Sequence, residues 1–290
     1  MSYMEIENLY KDLRILQFKE CYAMEKIHGT SAHVTFKDEN LIFFSGGDTH
    51  DDFVAHFNQE DLKKRFTEKG MDPNIPVTIY GENYGGKIQK MSNTYGKEKR
   101  FVVFEVKIGD TWLNVFKAEK FTNEMGLQFV DYMVIPATIE DIEKQMIRPS
   151  SQAIRNGMGD DKMREGVVLR PLEEYRDNRG NRIITKHKNP AFSEVKTPRE
   201  IDPEKLQIIE EANAIAEEWV THMRLIHVLD NVDFEIDVKN TGQVIQLMID
   251  DVLKESKGEI VDSPAARKAI SRATALLFKR SLQIPLGGSE

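Results

Sequence analysis

In Glu25-Lys26-Ile27-His28-Gly29-Thr30 a primary amine stands three residues before a glycine. Alone, the segment reads more readily as a surface loop. Four further short elements follow it in order: Tyr80-Gly81-Glu82-Asn83, Phe101-Val102-Val103-Phe104-Glu105, Glu165-Gly166-Val167-Val168 and Lys186-His187-Lys188-Asn189-Pro190. These residue types could do one kind of chemistry together. A lysine amine attacks the α-phosphorus of a nucleoside triphosphate only when unprotonated, and at a reference pKa of ~10.4 only about four in ten thousand are neutral at pH 7. Neighbouring positive charge raises that fraction. Lys186 and Lys188 are two apart, so on a strand they share a face. There they could grip a triphosphate and act on a third lysine. Glu82 and Glu165 could bind a ribose hydroxyl and a hydrated Mg²⁺. Phe104 could stack on a base.

Such residues need a sheet to hold them. His33-Val34-Thr35-Phe36 and Leu41-Ile42-Phe43-Phe44 flank the polar Lys37-Asp38-Glu39-Asn40, a hairpin pattern. Val77-Thr78-Ile79-Tyr80 follows Pro76 and is predicted to end at Gly81. The run 101–107 turns at Ile108-Gly109-Asp110 into Thr111-Trp112-Leu113. Val167-Val168-Leu169 and 182–186 are predicted strands either side of a polar insert, 173–181. Helices are predicted over 61–69 and 139–146. This pattern is α+β with substantial antiparallel sheet.

Near residue 200 the pattern becomes helical. Asp202-Pro203 is a cap followed by proline at the first helical position. Leu206, Ile209, Ala212, Ala216, Trp219, Met223 and Ile226 recur at spacings of three and four, predicting one stripe of a long helix with Trp219 and Met223 in the core. Val244, Leu247, Met248 and Val252 mark another helix; Ser263-Pro264 starts one carrying Ala266, Ile270, Ala273 and Leu277. Thr197-Pro198 is the expected junction, dividing the chain into domains 1–198 and 199–290, and Gly287-Gly288-Ser289-Glu290 is expected to fray.

Composition narrows the class. The chain has 290 residues, 40% apolar and 30% charged, which excludes a membrane bundle and argues against global disorder. One cysteine, Cys21, leaves no intrachain disulfide and no zinc site built from cysteines. No apolar run approaches the ~20 residues of a bilayer span. The opening residues carry no basic-then-apolar signal, so a soluble, reducing, cytoplasmic location is expected. Net charge is −8, of which residues 201–290 carry −6 (ten Lys/Arg, sixteen Asp/Glu), leaving −2 for the first 200. Lys and Arg are in excess from Lys144 to Arg199. That distribution argues against a nonspecific nucleic-acid coat and suits a focused anionic site.

The five elements, in this order, resemble the nucleotidyltransferase motifs of ATP-dependent polynucleotide ligases and mRNA capping enzymes. His28, where DNA ligases and capping enzymes usually carry aspartate, points to the RNA ligase branch. Lys188-Asn189-Pro190-Ala191-Phe192-Ser193-Glu194 is similar to the RNA ligase 2 type. The resemblance spans roughly residues 18–195 and implies an antiparallel, ATP-grasp-like ligase domain followed by a small all-helical domain, where DNA ligases and capping enzymes append a β-rich one. It implies Lys26 as the nucleophile that becomes lysyl-AMP, with His28, Lys186 and Lys188 also catalytic. Glu25, Lys26, Ile27, Gly29, Glu82, Phe104, Glu165, Val167, Lys186 and Lys188 would surround ATP. Within that set Glu82 would hold the ribose, Phe104 would stack on adenine and Glu165 would lie at a Mg²⁺ or Mn²⁺ ion. The implied partners are ATP and RNA bearing 3′-hydroxyl and 5′-phosphate ends, with no membrane and a monomeric enzyme. The implied reaction is RNA ligation through lysyl-AMP and RNA-adenylate, with a place in RNA repair.

One departure stands out. Ligases of this group usually carry an arginine just after the second hairpin strand; here the segment reads Ser45-Gly46-Gly47-Asp48-Thr49-His50. Lys63, Lys64, Arg65 or the amides of the glycine pair are candidate replacements. Other readings remain. A DNA ligase or capping-type nucleotidyltransferase would use a different acceptor. A catalytically dead RNA-binding relative would not need the intact Lys26, Glu82, Glu165, Lys186 and Lys188 set. Gly81 to Ile88 nearly spells a P-loop but puts Ile88 where a hydroxyl is required. Asp48, His50, Asp51, Asp52 and His56 could form a metal cluster, although loop acids with incidental histidines are commoner. His222 and His227, five apart, read as structural. Arg170, Arg176, Arg179 and Arg182 read as solvated charge or as RNA-backbone contacts.

Overall fold

A computed structural model describes residues 3–177, 179–192, 201–230 and 232–283. The expected junction at Thr197-Pro198, the motif residues Ser193 and Glu194, and the terminal Gly287-Gly288-Ser289-Glu290 lie outside the described residues. The chain divides into two compact units, Met1–Arg199 and Glu200–Glu290.

The first unit is built on two five-stranded sheets. One contains β1 (Glu7–Asn8), β2 (Glu20–Lys26), β8 (Tyr132–Pro136), β9 (Gly166–Pro171) and β10 (Thr185–Lys188), in the order β1-β10-β9-β2-β8. The other contains β3 (Thr30–Lys37), β4 (Asn40–Ser45), β5 (Val77–Gly85), β6 (Lys99–Ile108) and β7 (Thr111–Trp112), in the order β4-β3-β5-β6-β7. Among the described residues every strand pair is antiparallel except β1 with β10. The hairpin β3–β4 turns at Asp38 and Glu39, both in the left-handed region that a tight turn requires.

Two strands differ from the sequence expectation. β5 does not end at Gly81 but runs to Gly85, with a register shift between Tyr80 and Gly81. A bulge explains the glycine: a Cβ there would meet the Val102 carbonyl oxygen at 2.3 Å. β10 begins at Thr185 rather than 182, and Lys186 and Lys188 both lie on it.

Helices α1 (His50–Val54), α2 (Gln59–Glu68), α3 (Ser92–Tyr95), α4 (Val115–Glu124), α5 (Ile139–Met146) and α6 (Ser151–Arg155) fill the connections. Asn58, Asn114, Thr138 and Ser150 cap α2, α4, α5 and α6 by accepting a backbone N–H. The inner faces of both sheets share one core with α2 and α4, including Met24, Val34, Ile79, Val106 and Phe121. Phe66 of α2 stacks on Phe36 of β3 with centroids 4.7 Å apart.

The second unit contains α7 (Pro203–Trp219), α8 (His222–Leu229), α9 (Thr241–Glu255) and α10 (Pro264–Gln283). Asp202 caps α7 with Pro203 in its first turn. The single long helix expected through Ile226 is instead two. α7 stops before Val220, and the Thr221 hydroxyl accepts the Arg224 N–H to start α8. The break turns Met223 out, 73% exposed rather than in the core. Ala212 and Ala216 let α7 approach Ala269 of α10 closely. Leu225, Val244, Met248, Val252, Ile270 and Phe278 form the other cluster.

No helix among the described residues is long and apolar enough to cross a membrane. Phe66 is fully buried, so Phe66→Ala is expected to destabilise the first unit by about 3–5 kcal/mol. Urea unfolding checks this as a lower midpoint at unchanged slope. A loss below about 1 kcal/mol would contradict the stacked core.

Candidate active site

The pleat of the first sheet decides which side chains can meet. Met24 pairs with Val168 and Lys26 with Gly166; across the next ladder Val168 pairs with Lys186 and Gly166 with Lys188. Paired residues share a face and neighbours alternate. Lys26, Val168, Lys186 and Lys188 therefore stand on one face, and Glu25, Val167 and His187 on the other.

Glu165 enters this face from just before β9. Its carboxylate accepts from Lys26 Nζ at 2.6 Å and lies 3.3 Å from His28 Nδ1 and 3.5 Å from Lys188 Nζ. Its side chain is 2% exposed. Burial alone would raise its pKa, but the His28 hydrogen bond and the Lys26 charge and hydrogen bond overcome that and hold the carboxyl at about 2. Gly166 lets the strands close around it. A Cβ there would meet the His187 carbonyl oxygen at 2.2 Å, and the Asn189 N–H donates to the Glu165 carbonyl at 2.8 Å. Lys186 has a lowered pKa, from burial first and then the charges of Lys188 and Lys26.

The turn after Lys26 binds the second carboxyl, Glu82 of β5. The Gly29 N–H donates to Glu82 Oε1 at 3.1 Å. Only glycine fits here, since a Cβ would meet the Asn83 carbonyl oxygen at 2.4 Å. Burial pushes the Glu82 carboxyl up to about 8, with the Lys26 charge pulling down and the Glu165 charge adding to the rise. The two carboxyls thus sit in opposite states near neutrality, Glu165 ionised and Glu82 protonated. The His28 N–H donates to the Tyr95 hydroxyl at 3.2 Å.

A cleft of about 630 Å³, part of it open to solvent, lies over this face, lined by Met24, Lys26, Ile27, Glu82, Phe104 and Val168 among others. Tyr3 meets the Phe104 ring edge-on at 5.0 Å, and its hydroxyl donates to Glu105. Behind it Glu105 binds Arg170 at 2.8 Å and also Arg182, which reaches Glu174. Arg170 and Arg182 are buried, so neither solvated charge nor RNA contact describes them; Arg176 and Arg179 are exposed.

Two expected site side chains point elsewhere. Glu25 accepts from Ser150 Oγ at 2.5 Å and Gln152 N at 3.2 Å and is buried beside Arg164, so only its main chain can face the cleft. Val167 is fully buried, and its neighbour Val168 lines the cleft instead. Strand alternation carried the signal for both. Tyr3, Tyr95, Ser150 and Gln152 had no sequence signal, because each acts across a long loop.

Three of the candidate replacements at the arginine-free segment are already engaged. Gly46 N–H is committed to the Ser31 carbonyl, Lys64 pairs with Glu68, and Arg65 pairs with Asp61. The base beside this segment is Lys99, paired with Asp48 at 2.5 Å and Asp52 at 2.7 Å. Among the described residues no group of three or more His, Cys, Asp or Glu could hold a metal ion, which removes the cluster around Asp48 to His56. Glu165, with Glu82 near enough to feel its charge, fits a different demand. Mg²⁺ and similar hard cations keep several waters and need one or two carboxylates beside substrate phosphates.

A family model described as RNA ligase matches residues 19–188. Three solved structures of Naegleria gruberi RNA ligase mutants share the fold. One without ligand has a TM-score of 0.51 at 16% identity, covering 66% of this chain and 56% of that one. One with ATP and Mn and one with AMP and Mn each match at 0.51 and 16%, covering 66% and 57%. The chain thus spans little more than half the length of these structures.

The Glu82 state gives a test. Its pKa is raised, so its stabilising effect is fully present below the ordinary value of 4.5 and is lost as pH rises through about 8. Glu82→Gln keeps a neutral group and is expected to flatten the decline in stability across that window, measured by urea unfolding at several pH values. Parallel curves for variant and wild type would place the carboxyl in water.

Proposed function

This chain belongs to the RNA ligase family, and on that footing we propose that it is an ATP-dependent enzyme of the RNA ligase 2 type that joins RNA 3′-hydroxyl and 5′-phosphate ends. One observation carries the reading: a single buried carboxylate, Glu165, gathers Lys26, His28 and Lys188, and Lys26 itself lines a cleft with Phe104. The ATP, AMP and Mn in the Naegleria structures support the same choice of nucleotide and a divalent ion here.

In the first step the Lys26 amine attacks the α-phosphorus of ATP. An N–P bond forms, the bond to the β-phosphate oxygen breaks and pyrophosphate leaves. Lys26 must first lose a proton, and its nearest partner is the Glu165 carboxylate at 2.6 Å. Lys186 and Lys188 contact the phosphates. Phe104 offers its face to adenine, with Tyr3 fixing the ring from the side. Glu82, neutral near pH 7, offers a hydrogen bond to a ribose hydroxyl. A divalent ion held by Glu165 would offset negative charge on the phosphates.

In the second step an RNA 5′-phosphate oxygen takes the AMP and the lysine amine leaves, which requires a proton. His28, held by Glu165 on one side and by Tyr95 through its backbone, is placed to assist. In the third step a 3′-hydroxyl attacks the activated phosphate and AMP departs. Residues 1–198 are assigned the adenylation chemistry, and the helices of 199–290 the orientation of the RNA ends. The sealing of broken RNA places the enzyme in RNA repair.

Step-resolved assays test this. Lys26→Ala is expected to lose all transfer of label from α-labelled ATP yet still seal RNA supplied with a 5′-adenylate, since the last step does not use the lysine bond. His28→Ala is expected to accumulate lysyl-AMP and pass it slowly to RNA. Labelling from GTP in place of ATP, or sealing of DNA alone, would contradict the assignment.

A further inference from the structure

Between β5 and β6 the chain makes an excursion, residues 86–98, that neither the cleft nor the core explains. From Lys87 to Arg100 it carries five Lys/Arg against one acid, Glu98, in a 200-residue region whose net charge is −2. Lys99 is committed to Asp48 and Asp52, and Arg100 to Glu98. Lys87, Lys90 and Lys97 are exposed and make no ion pair or side-chain hydrogen bond among the described residues. We propose that these three lysines form a surface that takes the phosphodiester backbone of RNA beside the ends being joined; this deepens the ligase reading and rests on it.

The excursion is held firmly. Gly86 N–H donates to the Gly96 carbonyl at 3.0 Å and closes its base. Ile88 and Tyr95 are buried and anchor it. Gln89 and Lys90 both have positive φ, which turns the chain back on itself at the tip, where both are exposed. The anchor also leads to the chemistry: the Tyr95 hydroxyl accepts the His28 N–H, and His28 lies 3.3 Å from Glu165. Lysines on a fixed loop beside the nucleophile's turn are placed to bind a ligand that passes the site, not one enclosed in it.

The chemistry of the patch selects its ligand. Three uncompensated ammonium groups spread over eleven residues, 87–97, match a chain of separated phosphates better than one phosphate group. Lysine is a point charge without the planar fork that reads a base edge. Contacts of this kind position a backbone, carry no sequence information, and weaken as salt rises.

The test uses the full chain with Lys87, Lys90 and Lys97 all changed to Ala. The probe is a fluorescent RNA with a 5′-phosphate and 3′-hydroxyl, titrated at several KCl concentrations. Each lost phosphate contact should reduce the slope of log affinity against log salt by about 0.7–0.9, so the triple variant is expected to be shallower by about 2.1–2.7. Lysyl-AMP formation with ATP alone should be unchanged, and the corresponding triple Arg variant should keep the wild-type slope. An unchanged slope in a triple Ala variant that still forms lysyl-AMP would overturn the inference and leave the ligase reading intact. Loss of lysyl-AMP in the triple Ala variant alone would move the lysines into the nucleotide site and overturn it too. An equal loss of inorganic tripolyphosphate binding would make the patch a general anion site, again against it. A wild-type chain that forms no lysyl-AMP would instead fail the ligase reading itself.

Discussion

One buried carboxylate organises the site. Glu165 is almost wholly removed from water, yet the His28 hydrogen bond and the Lys26 charge overcome that burial and keep it ionised, at about 2. An unpaired buried carboxylate would be far too costly to keep. The fold therefore has to deliver all these partners together, and it does so by register. Lys26, Gly166 and Lys188 stand in one row across three strands, with Glu165 one residue before the middle of that row. Gly166 is the concession the row demands, since any side chain there would strike the His187 carbonyl. The Lys26 amine is the closest of these partners, 2.6 Å from the carboxylate.

The second sheet is joined to this row by polar contacts as well as by packing. Gly29 N–H reaches Glu82 on β5, and His28 N–H reaches Tyr95. Tyr95 packs on Tyr84, whose hydroxyl accepts from Gln152. Gln152 N–H and Ser150 in turn bind Glu25, the residue before the lysine. Lys26 is thus bracketed by groups fixed from opposite sheets. This is a more demanding use of Glu25 than a place beside the nucleotide, and it accounts for complete burial of a charged side chain type. Burial raises its pKa, against the pull of the Ser150 hydrogen bond and the Arg164 charge.

Much of this was legible in the sequence, for reasons that differ by residue. Lys26, His28 and Glu165 stood out by type and order, and the structure brings them into contact. Lys186 and Lys188 were placed on one face by spacing alone, and strand β10 puts them there. The helix starts at Asp202 and Ser263 were readable because capping is local. The same alternation that paired the lysines also assigned Glu25 and Val167 to the opposite face, but a motif treats neighbours as one unit and hides that consequence. Thr221 was a readable cap in the middle of the apolar stripe; periodicity ran across it because Met223 and Ile226 kept the spacing while losing the burial. Tyr3 against Phe104 and Tyr95 against His28 were not legible at all. Each pairs residues separated by a long stretch of chain, and nothing local distinguishes those tyrosines from core aromatics.

Lys26, clamped by Glu165, is the group proposed to carry the nucleotide. Peptide mapping by mass spectrometry, after incubating the full chain with ATP and Mg²⁺, tests it most directly. The account predicts a single adenylate adduct, on the peptide containing Lys26, that disappears when pyrophosphate is added back. An adduct on Lys186, Lys188 or any other residue, or no adduct at all in a folded protein, would contradict it.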